Sequence, residues 1–254
     1  MSLTILRSYA LKADPSTLPP TVLFSHEDHH LVVFDAFPKG IFHFLLLPRV
    51  QEPFSAADLS NLRSLLKCDR ESVKATLEQW KEDAKVVVKD IEDEMVSRYG
   101  FKWDIWIGFH AVPSMEHVHL HIVSSDLCSE KLKHKKHYNS FHPKLGFFLH
   151  LDEVLSWFES DSYFTTMAKL DKHKYEALLK EDLSCWRCGS SQKNMPTLKA
   201  HLQTEFDDLA KKEKAKQARK RKFEEKQSAS NDTEEEVSKK PKTTAGSDHE
   251  ADSE

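Results

Sequence analysis

"FHAVPSMEHVHLHIVSSD", residues 109–126, decides the fold. At its centre "HVHLHIV" (117–123) alternates three histidines with apolar residues. In an extended chain, alternate side chains point to opposite faces, so His117, His119 and His121 share one face at intervals of about 7 Å. Val118, Leu120 and Ile122 fill the other. An imidazole row is a poor way to build a core, because histidine is only intermediate in its preference for burial. Three uses compete: a metal site, a catalytic site, or a polar edge. No cysteine precedes the run in its loop, and Glu116 points away from the face of His117, which weakens the metal reading. Phosphorus chemistry fits better. A neutral imidazole is a good nucleophile near pH 7. Its neighbours can donate hydrogen bonds to phosphate oxygens as charge develops.

The flanking sequence supplies the scaffold. "WDIWIGFH" (103–110) leads through the short loop "AVPSME" into the histidine run, the pattern of a hairpin. "TVLFSHED", "HHLVVFDAFP" and "IFHFLLLP" read as strands upstream, the last stopped by Pro48. Ser55 and Asp58 start a helix through Leu59, Leu62, Leu65 and Leu66. From about Glu71 a longer helix follows, because Val73, Leu77, Trp80, Ala84, Val87, Val88, Ile91 and Met95 recur every three or four residues. Gly100 ends it as a C-cap. Strands, then helices, then strands indicate an α+β fold with an antiparallel sheet.

Composition bounds the rest. The chain has 254 residues, 39% apolar and 31% charged, with a net charge of −4. It is long enough for one domain and an added module. No apolar run approaches the roughly 20 residues of a membrane helix, and no secretory signal is visible at the N-terminus, so no membrane partner is expected. With six glycines there is neither G-x-G-x-x-G nor G-x-x-x-x-G-K-[ST], which excludes the standard glycine-rich phosphate cradles. Three regions emerge: 1–165, an α+β domain; 166–210, a helical connector with a cysteine pair; and 211–254, a tail too poor in apolar residues to bury a core and expected to be disordered. Within the tail, "KKEKAKQARKRKFEEK" holds nine basic and three acidic residues. This basic part is able to extend the preceding helix. With "KKPK" (239–242) it reads as a nuclear address or a nucleic-acid contact.

Cys185 and Cys188 are followed by His201 and Glu205, a C-x₂-C-x₁₂-H-x₃-E spacing. Pro196 suits the first turn of a helix, on which His201 and Glu205 share a face. This is the ligand pattern of a ββα-like zinc finger with glutamate as fourth ligand, a role its oxygen can fill; Asp208 or water is the rival. One structural Zn²⁺ is expected. Without it, a module of about 25 residues has too little core to fold. The cluster "KLKHKKHYNSF" (131–141), including Lys135 and Lys136, offers cations for phosphates and rings that can stack on exposed bases. Cys68 and Cys128 are read as unpaired thiols.

The pattern His-φ-His-φ-His-φ-φ resembles the histidine-triad superfamily of nucleotide hydrolases and transferases. The longer stretch 109–126, with "PKGIFHFLLLP", "KKHYNSF" and the finger, is similar to its aprataxin branch over roughly residues 20–210. The resemblance implies a DNA 5′-adenylate hydrolase acting on ends left by abortive ligation, in single-strand break repair, with AMP as product. His119 matches the nucleophile that becomes adenylylated. His117 and His121 match the histidines that orient it and hold the phosphate. Ser114 matches a contact to the attacked phosphate. His110 matches an added histidine near the DNA end, and His43 and Lys39 match pocket residues touching nucleotide or DNA phosphate. Asp35 matches the ribose-binding acid, and Phe34 is a candidate wall of the base pocket. No metal is implied for the chemistry. Removal of 3′-linked guanosine caps is a second implied activity. A monomer acting on DNA in the nucleus is expected. No phosphopeptide-binding domain, such as some animal aprataxins carry, is visible, so recruitment through one is not expected. The competing functions are a general hydrolase of dinucleoside polyphosphates or nucleoside phosphoramidates, and a DNA-end binder with an inert triad.

Overall fold

The computed structural model describes residues 3–238, with side chains as far as residue 224. The elements run in the order α1 (Ile5–Ala10), β1 (Leu23–His26), β2 (His30–Phe34), β3 (His43–Pro48), α2 (Leu62–Leu65), α3 (Arg70–Tyr99), β4 (Ile105–His110), β5 (Leu120–Ser124), α4 (Lys135–Asn139), β6 (Phe148–His150), α5 (Leu151–Ser156), α6 (Asp161–Met167), α7 (Lys172–Leu178) and α8 (Met195–Ser238). Six antiparallel strands form one sheet in the order β1-β2-β3-β5-β4-β6. This is the α+β architecture the sequence pattern predicts. Among the described residues, no helix is long and apolar enough to cross a membrane.

The long helix forms where its period and caps put it. The Asp69 carboxylate accepts the Ser72 backbone N–H, satisfying a free donor at the N-terminus, and Gly100 closes the other end at φ +82°. Its buried stripe is Val73, Leu77, Trp80, Ala84, Val87, Ile91 and Met95, which packs toward β5. The opposite side of the sheet is covered by α1 and the turn after it: Leu6 and Ala10, with Leu18, pack on Leu31, Val33, Leu45 and Leu47. Alternation along β3 and β5 then puts His43, Leu45, His121 and Val123 on the face away from α3.

The chain departs from the expected organisation in three places. First, the break anticipated at 165 does not separate two cores. Leu183, Cys185, Leu198 and Leu202 of the cysteine-rich module share a buried cluster with Trp106, Val123, Tyr138, Phe141 and Phe148. The compact unit ends instead at Leu209. Second, α8 continues as a helix to Ser238, so the unstructured tail expected from 211 does not hold as far as that residue. The "KKPK" cluster and the acidic end lie outside the described residues. Third, β5 starts only at Leu120, and His117 has a φ of +89°. His117 therefore leaves the alternation that would align it with His119 and His121. The loop from β4 is correspondingly longer than "AVPSME".

That loop is docked at several points. Its His117 and Val118 backbone N–H groups donate to the carbonyls of Ser60 and Leu59, and the Glu116 N–H donates to Leu3. Arg7 of α1 pairs with Glu116 at 2.6 Å. The approach of the histidines is thus set by α1 and by the turn that the Ser55–Asp58 cap begins.

Candidate active site

His119 and His121 line a cleft of about 750 Å³ together with Asp35, Lys39, His110, Ser114 and Lys136. His117 is fully buried beneath it and donates through Nε2 to the carbonyl of Pro48 at 2.7 Å. Its own carbonyl accepts from Nδ1 of His119 at 2.8 Å. A carbonyl cannot donate, so Nδ1 of His119 carries the proton and Nε2 keeps its lone pair.

A second chain of hydrogen bonds fixes His121. The Lys39 backbone N–H donates to His43 Nδ1 at 3.1 Å, which makes Nε2 of His43 the protonated nitrogen. Nε2 lies 3.0 Å from His121 Nδ1 and donates to it. His121 then carries its proton on Nε2. Among the described residues that Nε2 has no hydrogen-bond partner, and neither does Nε2 of His110, whose ring stands 4.4 Å from that of His121. Buried polar atoms without partners are uncommon, and these two belong to cleft-lining rings. Phe141 packs edge-on against His43, His110 and His121 and holds the three rings in place.

Burial sets the charge state. Desolvation disfavours the imidazolium, so His43 and His117 are pushed down to about 4, His119 is lowered, and His110 and His121 are lowered far. All five are neutral near pH 7. For Asp35, burial opposes ionisation, but His43 and Lys39 beside it more than offset that and hold its carboxyl below the usual value. Its Oδ2 lies 3.6 Å from His43 Nε2, and its Oδ1 accepts the Phe37 backbone N–H. Lys39 is buried, which lowers its ammonium's pKa, and Nζ donates to the Phe37 carbonyl.

The remaining expected residues divide. Ser114 is exposed at the rim of the cleft. Lys136 lines the cleft beside Lys131, Lys133, His134 and His137, whereas Lys135 turns away to pair with Asp182 at 3.2 Å. Phe34 does not line this cleft. It faces the α3 side, against Phe24 and Phe44, in a neighbouring cleft of about 500 Å³ that shares Asp35. Asp126, which no sequence expectation names, organises the site's floor. It accepts the Ile41 N–H, the Trp103 indole N–H and the Cys128 N–H, at 2.9–3.0 Å, and the Ser124 hydroxyl. It thereby ties the turn holding Lys39 and His43 to the end of β5. Its place at the end of the "HIVSSD" motif is the signal that was available.

In the finger, Cys185, Cys188, His201 and Glu205 offer donor atoms all within 4.8 Å of one another. Cys188 Sγ is 3.2 Å from His201 Nε2, which is 3.4 Å from Glu205 Oε1. Two thiols, an imidazole and a carboxylate converging this closely fit a tetrahedral zinc ion. Gly189, at φ +75°, turns the chain so that its N–H donates to the Cys185 carbonyl. The expected strand pair reduces to a single bridge between Ser184 and Ser191. Asn194 and Thr197 cap the helix that presents His201 and Glu205.

A triad cleft on an antiparallel sheet, with a C2HE finger packed into the same core, defines a histidine-triad protein with a zinc-binding finger. Residues 8–137 match the family described as scavenger mRNA decapping enzyme C-term binding, and 144–208 match the C2HE / C2H2 / C2HC zinc-binding finger. Aprataxin of Danio rerio is 34% identical over 78% of this chain, a match covering 53% of that relative's length. An aprataxin-like protein of Schizosaccharomyces pombe is 32% identical, with 72% of this chain and 74% of the relative covered. The solved structure of Hnt3 in complex with DNA and guanosine superposes with a TM-score of 0.59 at 29% identity, covering 82% of this chain and 97% of that one. The chain belongs to the aprataxin family. It spans about half the length of the zebrafish protein.

Proposed function

We propose that this protein is a DNA 5′-adenylate hydrolase that clears the AMP left on a 5′ end when ligation aborts. The observation that carries this reading is the hydrogen bond from His119 Nδ1 to the His117 carbonyl, which leaves Nε2 free to attack. Nε2 attacks the adenylate phosphorus, forming a P–N bond and breaking the P–O bond to the DNA phosphate. The DNA leaves with its 5′-phosphate, a good leaving group that needs little acid help, since its second pKa is about 6. Water then attacks the same phosphorus, the P–N bond breaks, and AMP and neutral His119 are restored. Nε2–H of His121 donates to the phosphate oxygens as their charge grows, with the His110 ring packed beside it. Asp35, at the cleft edge, accepts the ribose hydroxyls.

The lysines at 131, 133 and 136 face the same cleft and supply cations for the DNA backbone. One zinc sits in the finger and takes no part in the chemistry. The protein works as a monomer on DNA, in the nucleus, where the basic segment after 211 directs it. A second activity, removal of a 3′-linked guanosine cap, is favoured by one finding: the similar Hnt3 structure holds DNA and guanosine. The test is AMP release from a 5′-adenylated nick, with mass analysis of the 117–123 peptide. Wild type is expected to release AMP and to carry one added AMP when quenched early. Undiminished release by His119→Ala would overturn the reading.

A further inference from the structure

A second donor cluster lies outside both the triad and the finger. His29 and His30 sit at the turn from β1 into β2, and Asp83 faces them from α3. Their donor atoms lie within 4.8 Å of one another. The backbone pins the cluster: Arg49 N–H donates to the His29 carbonyl, Glu27 N–H donates to His30, and His30 is in register with Pro48 of β3. Asp83 is held as well. Its Oδ1 accepts from Gln79 at 2.9 Å, so Oδ2 is the oxygen left for the histidines.

Oδ2 is 2.9 Å from His29 Nε2 and 3.3 Å from His30 Nδ1. His30 is 5% exposed, yet its Nδ1 makes no hydrogen bond among the described residues. A buried polar atom left this way is destabilising unless a ligand satisfies it. Ligands around a tetrahedral ion with bonds of about 2.0–2.2 Å stand roughly 3.3–3.6 Å apart, so the Asp83–His30 pair fits as it stands and the Asp83–His29 hydrogen bond opens by about half an ångström to admit the ion. His29 is partly exposed, which leaves a fourth position for water. The Asp35–His43–His121 group also converges, but it belongs to the cleft already described.

We propose that His29, His30 and Asp83 form a divalent transition-metal site, with zinc as the ion, that clamps the β1–β2 turn to α3. Imidazole nitrogens with one carboxylate suit zinc better than calcium or magnesium, which take oxygen ligands. The clamp sits one ladder step from Pro48, whose carbonyl anchors His117. It therefore braces the strand end on which the triad rests, without touching the cleft.

The test measures zinc per chain on the full-length protein, stripped with a chelator and reloaded with zinc. His30→Ala and Asp83→Asn are each expected to hold one zinc fewer than wild type. Reloading with cobalt separates this site from the finger, because only the finger gives thiolate-to-cobalt absorption. That band is expected to be unchanged in both variants, which also reports that the compact unit is folded. Asp83→Asn preserves size and decides the matter if the His30 variant loses the band. Equal zinc content in wild type and Asp83→Asn, with the band intact, would overturn the proposal.

Discussion

The Nδ1 atom of His119 lies 2.8 Å from the carbonyl oxygen of His117, two residues earlier in the chain. The bond lies where the chain enters β5, just after His117 takes a φ of +89°. That one contact selects the tautomer of His119 and aims its nucleophilic nitrogen at the cleft. Replacing His119 with alanine removes the attacking atom, so AMP release from adenylated DNA is expected to fall at least ~10³-fold. Binding of the adenylated nick should change little, because the neighbouring donors remain. Gel-shift affinity and single-turnover release, measured on the same preparation, check both halves.

His43 acts one residue further out. It takes a hydrogen bond from the Lys39 N–H and passes one to His121. His43→Leu leaves His121 free to adopt the other tautomer, with its proton facing away from the phosphate. The expected effect is a drop in kcat of about 10²-fold with KM changed much less. A rise in KM at constant kcat would show that His43 binds substrate rather than setting the state of His121.

Burial of neutral histidines makes stability depend on pH. His43 and His117 sit near 4, against 6.5 for an unhindered histidine. Between those values the unfolded chain takes up protons that the folded one refuses. Stability is therefore complete above about pH 6.5 and falls as pH drops through the window, by about 3 kcal/mol for each of the two. The thermal midpoint is expected to decline steadily from pH 7 to pH 4.5, and less steeply in His43→Leu. A flat profile over that range contradicts the neutral, buried assignment.

How much of this could be read from the chain follows the range of each interaction. The α3 stripe and its Gly100 cap are local, and the spacing predicts them apart from Val88, which is only partly buried; no sequence expectation names the Asp69 cap. The finger ligands are also local, and Cys185, Cys188, His201 and Glu205 converge where their spacing puts them. The triad was legible as a group but not as a geometry: alternation predicts three histidines on one face, while the φ of His117 breaks it. The pairing of His43 with His121 joins residues 78 apart in sequence, and Asp126 reaches 85 residues back to Ile41. Such contacts depend on strand order, which no local pattern carries. The packing of Leu198 and Leu202 against Trp106 and Val123 was hidden for the same reason.

That packing makes zinc matter beyond the finger. Cys185 is 1% exposed and belongs to the core cluster that also holds Trp106 and Phe148. Removing the ion, or replacing Cys185 with serine, loosens the segment that supplies Leu183, Leu198 and Leu202 to this core. The catalytic sheet is expected to lose stability with the finger, in one cooperative transition at lower temperature. Leu202→Ala, which leaves the ligands alone, should cost about 2–5 kcal/mol by the cavity it opens. Calorimetry distinguishes the cases. An unchanged main transition preceded by a separate small one would mean that the finger folds independently.

The last relationship concerns space. A Cβ on Gly40 would stand 2.5 Å from the carbonyl oxygen of Ser124 and 2.7 Å from its hydroxyl. The carbonyl is backbone of β5, and the hydroxyl is held twice: it accepts the Phe42 N–H at 3.0 Å and donates to Asp126, which also holds Ile41. Gly40→Ala therefore pushes the turn away from β5, at a cost of about 1–3 kcal/mol. The same turn carries the Lys39 N–H that sets the His43 tautomer, so kcat should also fall, by roughly tenfold for each 1.4 kcal/mol lost from transition-state stabilisation. Gly100→Ala is the matching control. Its φ of +82° strains any side chain, but nothing lies within 4 Å of the added atom. It should cost about 1 kcal/mol of stability and leave kcat unchanged. Equal losses of kcat in both variants would show that activity follows general stability and not the position of the Lys39–His43 turn.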